Sequence, residues 1–334
     1  MIKGMSLDLI SQTTPLYDAV PEGIVRNWIL ERKSLPLRTL PGMEESRWAD
    51  YHVDDIQSLH KKGGVITLYN ASVPCLIIAR RLDWDTKLTG VPAVSLEHFL
   101  FSNDLETSKA ISLLQTLCAQ WRDEGFHLLV HKTSPANFGV ISTMAPCGFD
   151  LLCNHLDYLS DAEAAARLSK PIDGYEFGEA RPDEEEQVAQ LTKHNYALMD
   201  RFNLDPMIPN DRVPGLYYEW GRNAFHGHSD LVWVARRDGK VVGITFWSHR
   251  LRLDEITGVN CALNQLGAVD ARDAGNGVFR RMTATVIAHY YDRGARYGTI
   301  ATNVINYALQ RSVQGLGCRI HDSLFTFRKN LLRD

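Results

Sequence analysis

The sequence has little of what marks metal-binding, secreted, membrane-spanning or nucleic-acid-binding proteins. Its six cysteines stand singly, with no CxxC pair, so neither a zinc site nor a disulfide framework is expected. No run approaches the roughly eighteen apolar residues of a membrane-spanning helix, and the start "MIKGMSLDLISQ" lacks the apolar core of a signal peptide. A net charge of -4 offers no basic surface to nucleic acid or anionic lipid. We expect a cytoplasmic protein without a metal that binds neither nucleic acid nor membranes.

What the sequence does contain is an internal repeat. When it is shifted by 169 residues, three pairs of residues align without a gap: Gly125 with Gly294, Asn137 with Asn306, and Gly148 with Gly317. In each half an amphipathic stretch, residues 108–124 or 277–293, ends at a glycine suited to a left-handed C-cap. A short β-type run, the Asn, a second helix and a closing strand follow. Each half is therefore predicted to be a β-α-β-α-β unit.

The division between the halves is predicted from composition. The segment "SDAEAAARLSKPIDG" is small, polar and closed by Pro and Gly, which is typical of a linker. With 334 residues, the chain is long enough for two domains. We place them at residues 1–164 and 165–334.

The stretch "QLGAVDARDAGNGVFRRM", residues 265–282, passes from a predicted strand into a helix through a glycine-containing turn. Backbone N–H groups at such a helix start, aided by the helix dipole, form a site for a pyrophosphate, and glycine lets the backbone approach closely. A plain strand-to-helix turn is the alternative interpretation of two glycines alone.

The order of elements in residues 174–330 resembles the Gcn5-related N-acetyltransferase (GNAT) superfamily. A hairpin, "LVWVARRDGKVVGITFW", is followed by a strand, a loop of the form Q/R-x-x-G-x-G/A, a helix, a strand and an Asn-led helix that closes on glycine. The resemblance implies an α/β (α+β) fold of two tandem units, each a mixed, mostly antiparallel sheet flanked by helices. It also implies acyl-coenzyme A as co-substrate.

The resemblance assigns the coenzyme to the second half of the chain. The loop departs from the family pattern at both ends, with Ala274 in place of Gln or Arg and Phe279 in place of the last Gly or Ala. The residues implied to bind the coenzyme are Leu266, Gly267 and Val269 on the strand, Gly275, Asn276, Gly277, Val278 and Phe279 on the loop, and Asn306 on the last helix.

The first half lacks the corresponding loop. Its counterpart reads "LETSKA", residues 105–110, with Glu106 and Ser108 at the glycine positions. Because a carboxylate facing a pyrophosphate is unfavourable, we expect a degenerate unit that kept the fold and lost the ligand.

The acceptor is suggested by residues 198–243, which resemble the sugar-amine branch of GNAT enzymes, typified by TDP-fucosamine acetyltransferase. The matching residues are an Arg-Phe-x-x-Asp-Pro segment and a Leu-Tyr-x-x-Trp helix, and "LDWDTKLTG" at 82–90 is a further match. A dTDP-linked amino sugar would meet aromatic faces and a cation. The candidate substrate-binding residues are Arg201, Phe202, Asp205, Tyr217 and Trp220. The alternative is that the aromatic residues belong to the core and that Arg201 pairs with Asp205 on the surface.

Acyl transfer to an amine requires an unprotonated amine, a polarised carbonyl and a stabilised thiolate. The resemblance implies a general-acid Tyr at the position that holds Val313 here. The candidate acids are therefore neighbouring Ser312, or Tyr307 next to Asn306, with water as the alternative. His249 is the first candidate for the base, because imidazole titrates near neutrality, and Asp254 and Glu255 could act through a water. A surface or helix-capping role for His249 is the alternative.

The resulting hypothesis is an N-acyltransferase that moves acetyl, or a short acyl group such as hydroxybutyryl, from coenzyme A to a nucleotide-linked amino-deoxy sugar. Two alternatives stay open. One keeps the coenzyme with a non-sugar amine, such as an amino acid, polyamine or antibiotic, and the other is a catalytically silent module that senses acyl-coenzyme A. A homodimer is compatible with the sequence.

Overall fold

The computed structural model describes residues 7–168, 171–194 and 200–333, which form two compact units. Unit 1 contains the described residues up to 154, together with 205–208 and 324–333. Unit 2 contains the described residues from 155 to 204, together with 209–323. The predicted single cut between residues 164 and 165 is therefore replaced by a division in which each unit takes its last strand from the other half of the sequence.

The sheet of unit 1 is mixed and mostly antiparallel, as predicted. Its strands are β1 (Asp8–Ile10), β2 (Val65–Asn70), β3 (Cys75–Arg81), β4 (Ala93–Phe101), β5 (Leu128–Thr133) and the second part of β12 (Arg319–Asn330). They lie in the order β1-β2-β3-β4-β5-β12. Strands β4 and β5 are parallel, whereas the other neighbours pair antiparallel.

Helices cover both faces of this sheet. They are α1 (Leu16–Ala19), α2 (Glu22–Arg32), α3 (Glu45–His60), α4 (Asp83–Thr89), α5 (Thr107–Asp123) and α6 (Phe138–Met144). Because successive strand residues point to opposite faces, the side chains of β3 pack into two hydrophobic cores, one on each face of the sheet. Leu76 and Ile78 pack with α1–α3, and Cys75 and Ile77 pack with α5 and α6.

The sheet of unit 2 repeats this arrangement. Its strands are the second part of β6 (Asp150–Asp161), β7 (Glu176–Glu179), β8 (Leu231–Arg237), β9 (Lys240–His249), β10 (Cys261–Val269) and β11 (Tyr297–Asn303). They lie in the order β6-β11-β10-β9-β8-β7, with β10 and β11 parallel and the other neighbours antiparallel.

The helices of unit 2 also lie on two faces. They are α7 (Ala162–Arg167), α8 (Glu185–His194), α9 (Arg201–Leu204), α10 (Val213–Asn223), α11 (Leu251–Thr257), α12 (Val278–Tyr291) and α13 (Tyr307–Gln314). Helices α8 and α10 pack on the face that carries Ile244 and Phe246, and α12 and α13 pack on the face that carries Trp247 and Ile300. Helix α12 buries the stripe predicted from its helical spacing: Val278, Met282, Val286 and Tyr290.

The predicted repeat is confirmed in the backbone. Gly125 and Gly294, which follow α5 and α12, both have φ of 90°. Gly148 and Gly317, after α6 and α13, have φ of 74° and 75°. Both pairs occupy the left-handed region that glycine adopts without strain. The two halves therefore end corresponding helices with the same local geometry.

A second repeated motif joins the first. The sequences "LTGV" at 88–91 and "ITGV" at 256–259 end α4 and α11. In each, the threonine hydroxyl donates to the carbonyl four residues earlier, at 2.7 Å, for Thr89 to Asp85 and Thr257 to Leu253. The matching glycines, at φ of 77° and 72°, cap the two helices. Residues 82–90, singled out above as resembling the sugar-amine branch, are thus the unit 1 counterpart of α11.

All six cysteines lie within the described residues, are buried and form no disulfide. Burial raises the pKa of both Cys75 and Cys118 to about 12, so these thiols stay protonated near neutral pH. Of the helices that the structure describes, none has the length and apolarity needed to cross a bilayer.

Candidate active site

The sheet of unit 2 opens between β10 and β11. The two strands pair from Cys261 with Tyr297 to Asn264 with Ile300. A β-bulge then interrupts β10 at Gln265, after which β10 keeps its pairing with β9, and β11 keeps its pairing with β6. We call the opening between residues 265–269 and 301–303 the fork. Its edges carry backbone groups available to a ligand, because each strand now has a partner on one side.

Three of the predicted coenzyme-binding residues, Leu266, Gly267 and Val269, lie on the β10 edge of the fork. In an antiparallel ladder, alternate residues direct their N–H groups away from the partner strand, so this edge presents donors to the fork. A Cβ at Gly267 would lie 2.6 Å from Cε2 of Phe279. The predicted Phe279 therefore packs its ring against the backbone of Gly267, and a side chain at 267 would displace it.

The loop after β10 has the backbone conformation expected of a phosphate cradle. Gly275 and Gly277 have φ of 86° and 78°, which L side chains rarely adopt. Gly277 is the N-cap of α12, a helix of 14 residues, and Val278 is buried beneath it. Asn276, between the glycines, is exposed. The first-turn amides and the positive end of the helix dipole thus face outward at this loop.

A buried carboxylate stabilises this loop. The sequence interpretation missed it. Asp273 is 1% exposed and accepts a hydrogen bond from the Tyr175 hydroxyl at 2.7 Å. Arg237 Nη1 lies 2.6 Å from the same oxygen, Oδ1. The amide of Asn276 lies 3.4 Å from the Tyr175 hydroxyl. The pattern Asp-x-Gly-x-Gly was visible in the sequence, but its partners lie about 35 and 100 residues away along the chain.

An arginine near the loop was also missed. Arg280 is exposed in the first turn of α12, and its guanidinium lies 3.9 Å from the position of a Cβ on Gly277 and 3.1 Å from that on Gly315. A cation near a helix N-terminus is disfavoured by the helix dipole. Its presence beside the glycine loop instead favours an anionic ligand there.

In unit 1, a side chain fills the equivalent place. Strands β4 and β5 stop pairing after Leu96 and His131, so this sheet also opens. Arg32, at the end of α2, donates from Nε to the Phe101 carbonyl at 2.7 Å and from Nη1 to Asn137 Oδ1 at 3.2 Å.

The same guanidinium stacks on the Phe101 ring, 3.8 Å from its centroid. It is so close to the backbone that a Cβ on Gly139 would lie 2.3 Å from Nη1. Phe101 ends β4 as Val269 ends β10. Asn137 and Asn306 hold the N-cap positions of α6 and α13, and the side chain of Asn306, unlike that of Asn137, accepts a capping hydrogen bond. Arg32 therefore occupies the position in unit 1 that corresponds to the loop end of the fork.

His249 lies away from the fork. It pairs with Ala262, before the parallel strands separate, and its ring meets Tyr290 edge-on at 5.6 Å, near the end of α12. Nε2 lies 2.5 Å from Asn260 Oδ1, and the Asn260 amide donates to Asp254 at 3.0 Å. His249 is thus on the α12 face of the sheet and tied into a local polar chain.

The other predicted catalytic residues lie on separate helices. Glu255 is on α11 with a side chain 63% exposed and pairs with Arg252 at 2.9 Å. Ser312 is half-buried on α13, next to the fully buried Val313. Asn306 accepts a hydrogen bond from the Leu309 amide at 3.2 Å, which makes it the side-chain cap of α13.

Three of the predicted substrate-binding residues form an aromatic cluster. The rings of Tyr217 and Trp220 stack at 5.9 Å and 14°, and Phe202 meets Tyr217 edge-on at 6.4 Å. Tyr217 is 2% exposed and its hydroxyl donates to Asp200. Phe202 and Tyr217 are therefore buried within this cluster, whereas Trp220, stacked on Tyr217, is half-buried on the α8 and α10 face.

The structure places Arg201 beside an aromatic ring and Asp205 in a buried position. The Arg201 guanidinium lies 4.0 Å from the Phe202 ring centroid. Asp205 belongs to unit 1, is 2% exposed, accepts from the Met207 amide at 2.9 Å, and lies 3.7 Å from Arg328. A buried carboxylate with these contacts holds the 205–208 segment in place.

No family model matches. A curated relative, the spore coat polysaccharide biosynthesis protein SpsD of Bacillus subtilis (strain 168), is 24% identical over 153 residues. The match spans 46% of this chain and 50% of that protein, so the chain spans about half the length of the curated relative.

Solved structures resemble the whole chain. A GCN5-related N-acetyltransferase from Sphaerobacter thermophilus superimposes with a TM-score of 0.60 at 13% identity, over 98% of this chain and 95% of its own. A tandem GNAT protein from the clavulanic acid biosynthesis pathway gives 0.57 at 12% identity, over 98% of both chains. The glucosamine N-acetyltransferase region of a fungal multi-domain β-N-acetylglucosaminidase gives 0.61 at 12%, over 98% of this chain and 38% of that one.

Identities this low establish architecture alone. The chain has the tandem fold of the Gcn5-related N-acetyltransferases.

Proposed function

We propose that unit 2 is an N-acyltransferase domain that transfers an acyl group from coenzyme A to the amine of a nucleotide-linked amino-deoxy sugar. The observation that carries the proposal is the conjunction of the fork with a loop whose two glycines, Gly275 and Gly277, have left-handed φ at the start of α12. A pantetheine chain can pair with strand edges, and a pyrophosphate suits the loop amides and Arg280.

The residues of unit 2 divide the work in this scheme. Amides of the loop and first turn of α12 bind the pyrophosphate, and the β10 edge from Leu266 to Val269 aligns the pantetheine and polarises the acyl carbonyl. The acceptor amine attacks directly while both substrates are bound. Arg32 in the corresponding place of unit 1 supports a single coenzyme site in each chain.

The names of two similar proteins support a sugar as the acceptor. The curated relative is named for spore coat polysaccharide biosynthesis, and one of the solved structures contains a glucosamine N-acetyltransferase region. Half-buried Trp220, on the face carrying α8 and α10, is suited to packing against a sugar ring. The group transferred in this proposal is acetyl or a short acyl group such as hydroxybutyryl.

The coenzyme site is tested by titrating acetyl-coenzyme A into the wild type and into Gly277→Glu. A carboxylate at this position would face the pyrophosphate, so we expect binding to be lost. Gly42→Glu is the matched control, because Gly42 has φ of 80° and open space around it, in unit 1. Unchanged affinity in Gly277→Glu would rule out the loop as the phosphate site.

The reaction is tested by measuring coenzyme A thiol release with four kinds of amine: a dTDP-linked amino-deoxy sugar, glucosamine, an amino acid and a polyamine. Turnover restricted to the nucleotide sugar is expected. If only the amino acid or the polyamine is turned over, the acceptor is a non-sugar amine. If acetyl-coenzyme A binds and none of the amines is turned over, the chain is a catalytically silent sensor.

A further inference from the structure

A group of ionisable side chains lies beside the fork in unit 2 and has no part in the scheme above. Asp157 is on β6, opposite Ala301 of β11, and its carboxylate Oδ2 lies 3.7 Å from His321 Nε2. Arg250, which follows β9, and Asp322, which follows His321, act electrostatically on Asp157. These residues converge from β6, β9 and β12, which are distant in sequence.

The position of Asp157 follows from strand register. Parallel pairing of β10 with β11 ends at Ile300, so Ala301 is the first β11 residue inside the fork. Asp157 is its direct partner on β6. Directly opposed residues of neighbouring strands place their side chains on the same face, so the carboxylate stands next to the entrance of the fork.

The face of the unit 2 sheet to which Asp157 points follows from the position of its neighbour. The neighbouring Tyr158 is buried in the core formed with α12 and α13, and its hydroxyl donates to Gln310 at 3.2 Å. Because side chains alternate along a strand, Asp157 points to the opposite face, the one that carries α8 and α10. Ala301 is exposed on that face. An acceptor held there would approach the fork with its amine near this carboxylate.

One oxygen of this carboxylate is unused. Asp157 Oδ1 is buried and has no hydrogen bond among the described residues, although buried carboxylate oxygens are normally paired. The side chain is 16% exposed. A buried, unsatisfied acceptor beside the fork is suited to taking a proton from a bound molecule.

We propose that Asp157 is the general base of unit 2, accepting the proton that the acceptor amine loses as it attacks the acyl carbonyl. The inference rests on the proposed transferase function. The nitrogen lone pair forms the C–N bond, and the C–S electron pair departs with sulfur. The proton on nitrogen passes to Asp157 directly or through one water and then to solvent, while the thiolate is protonated by water. The products are an amide and free coenzyme A.

The surroundings of Asp157 suit this role. Burial, with a smaller contribution from Asp322, raises the pKa of Asp157 to about 6 against the opposing effect of Arg250. The pKa of His321 is lowered to about 4 by burial, so its ring is neutral above pH 5. The Cys261 thiol, on β10, has a pKa raised by burial. Asp157 is therefore the group of this cluster that titrates just below neutrality.

The test compares the wild type with Asp157→Asn, using an amine that the wild type acylates, across pH 5 to 9. We expect a loss of at least about a hundredfold in kcat at pH 7.5, unchanged acetyl-coenzyme A affinity, and a deficit that narrows at high pH, where hydroxide can take the proton. Glu163→Gln is the matched control, because Glu163 is 54% exposed on α7 and pairs with Arg167.

A second variant separates catalysis from folding. Asp322→Asn removes a negative charge near Asp157 and should move the acidic limb of the kcat profile to lower pH, leaving the plateau in place. An active wild type with an equally active Asp157→Asn, or an acidic limb unmoved in Asp322→Asn, overturns the inference alone. A wild type that turns over none of the amines refutes the proposed function, and the inference with it.

Discussion

Replacing Asp157 by asparagine should stabilise the protein at neutral pH. The carboxyl has a pKa of about 6 in the folded chain against 3.8 ordinarily, and burial is the main cause. Since each pKa unit corresponds to about 1.4 kcal/mol, keeping this group ionised in the fold costs about 3 kcal/mol. Asparagine carries no charge, so Asp157→Asn should raise the free energy of unfolding by up to about that amount at pH 8.

The sign of the pH dependence follows from the raised pKa. The folded state binds the proton more tightly than the unfolded state, so this group favours folding below pH 4, and its contribution is lost as pH rises through 6. Urea unfolding of wild type and Asp157→Asn should therefore differ most above pH 7 and converge near pH 4. The difference between the two proteins removes the effect of all other titrating groups.

Two results would refute this reasoning. One is a variant less stable than the wild type at pH 8, which would mean that the electrostatic interactions of Asp157 with His321 and Arg250 outweigh the cost of its burial. The other is a stability difference that does not change between pH 4 and 8. Glu163→Gln should stay within about 0.5 kcal/mol of the wild type throughout, as exposed pairs contribute little.

The remaining predictions concern the two units. Glu184→Gln should lower the free energy of unfolding by about 3–5 kcal/mol, because it leaves the buried Arg236 without its carboxylate partner at 2.6 Å. Glu176 is an exposed partner of the same arginine, so Glu176→Gln should change the temperature of thermal unfolding little. Calorimetric titration should give one acetyl-coenzyme A per chain, and Arg32→Ala should still give one while losing about 2–3 kcal/mol of stability. A stoichiometry of two for either protein would contradict a ligand-free unit 1.

Much of the fold could be predicted because the sequence features that indicate it are local. The amphipathic stripe of α12 and the glycines at 125, 148, 294 and 317 act through helical spacing and backbone conformation, which a short stretch of sequence reveals. The repeated Thr-Gly-Val motif at the ends of α4 and α11 is a local feature of the same kind. The division into units could not be predicted, because the pairing of β6 with β11 and of β12 with β5 depends on contacts between distant segments.

The candidate site was predictable to a similar degree. The loop at Gly275 and Gly277 lies where the sequence placed it, since positive φ is a local demand. Chemistry and position near a strand end make His249 and Glu255 candidates for the base, but the face to which a side chain points depends on sheet register. The β10 bulge and the pairing of β9 with β10 place His249 beside Tyr290 on the α12 face.

That the chain folds twice in the same pattern, and that the second copy carries the glycine loop, can be read from the sequence, because repeats, helix periods and left-handed glycines are local features. The surroundings of each opening depend on the tertiary structure. Arg32 reaches the opening of unit 1 from α2, about 70 and 105 residues away from its partners. Asp157 reaches the fork through its pairing with Ala301. Both outcomes depend on which distant strands and helices come together, and no local spacing encodes that.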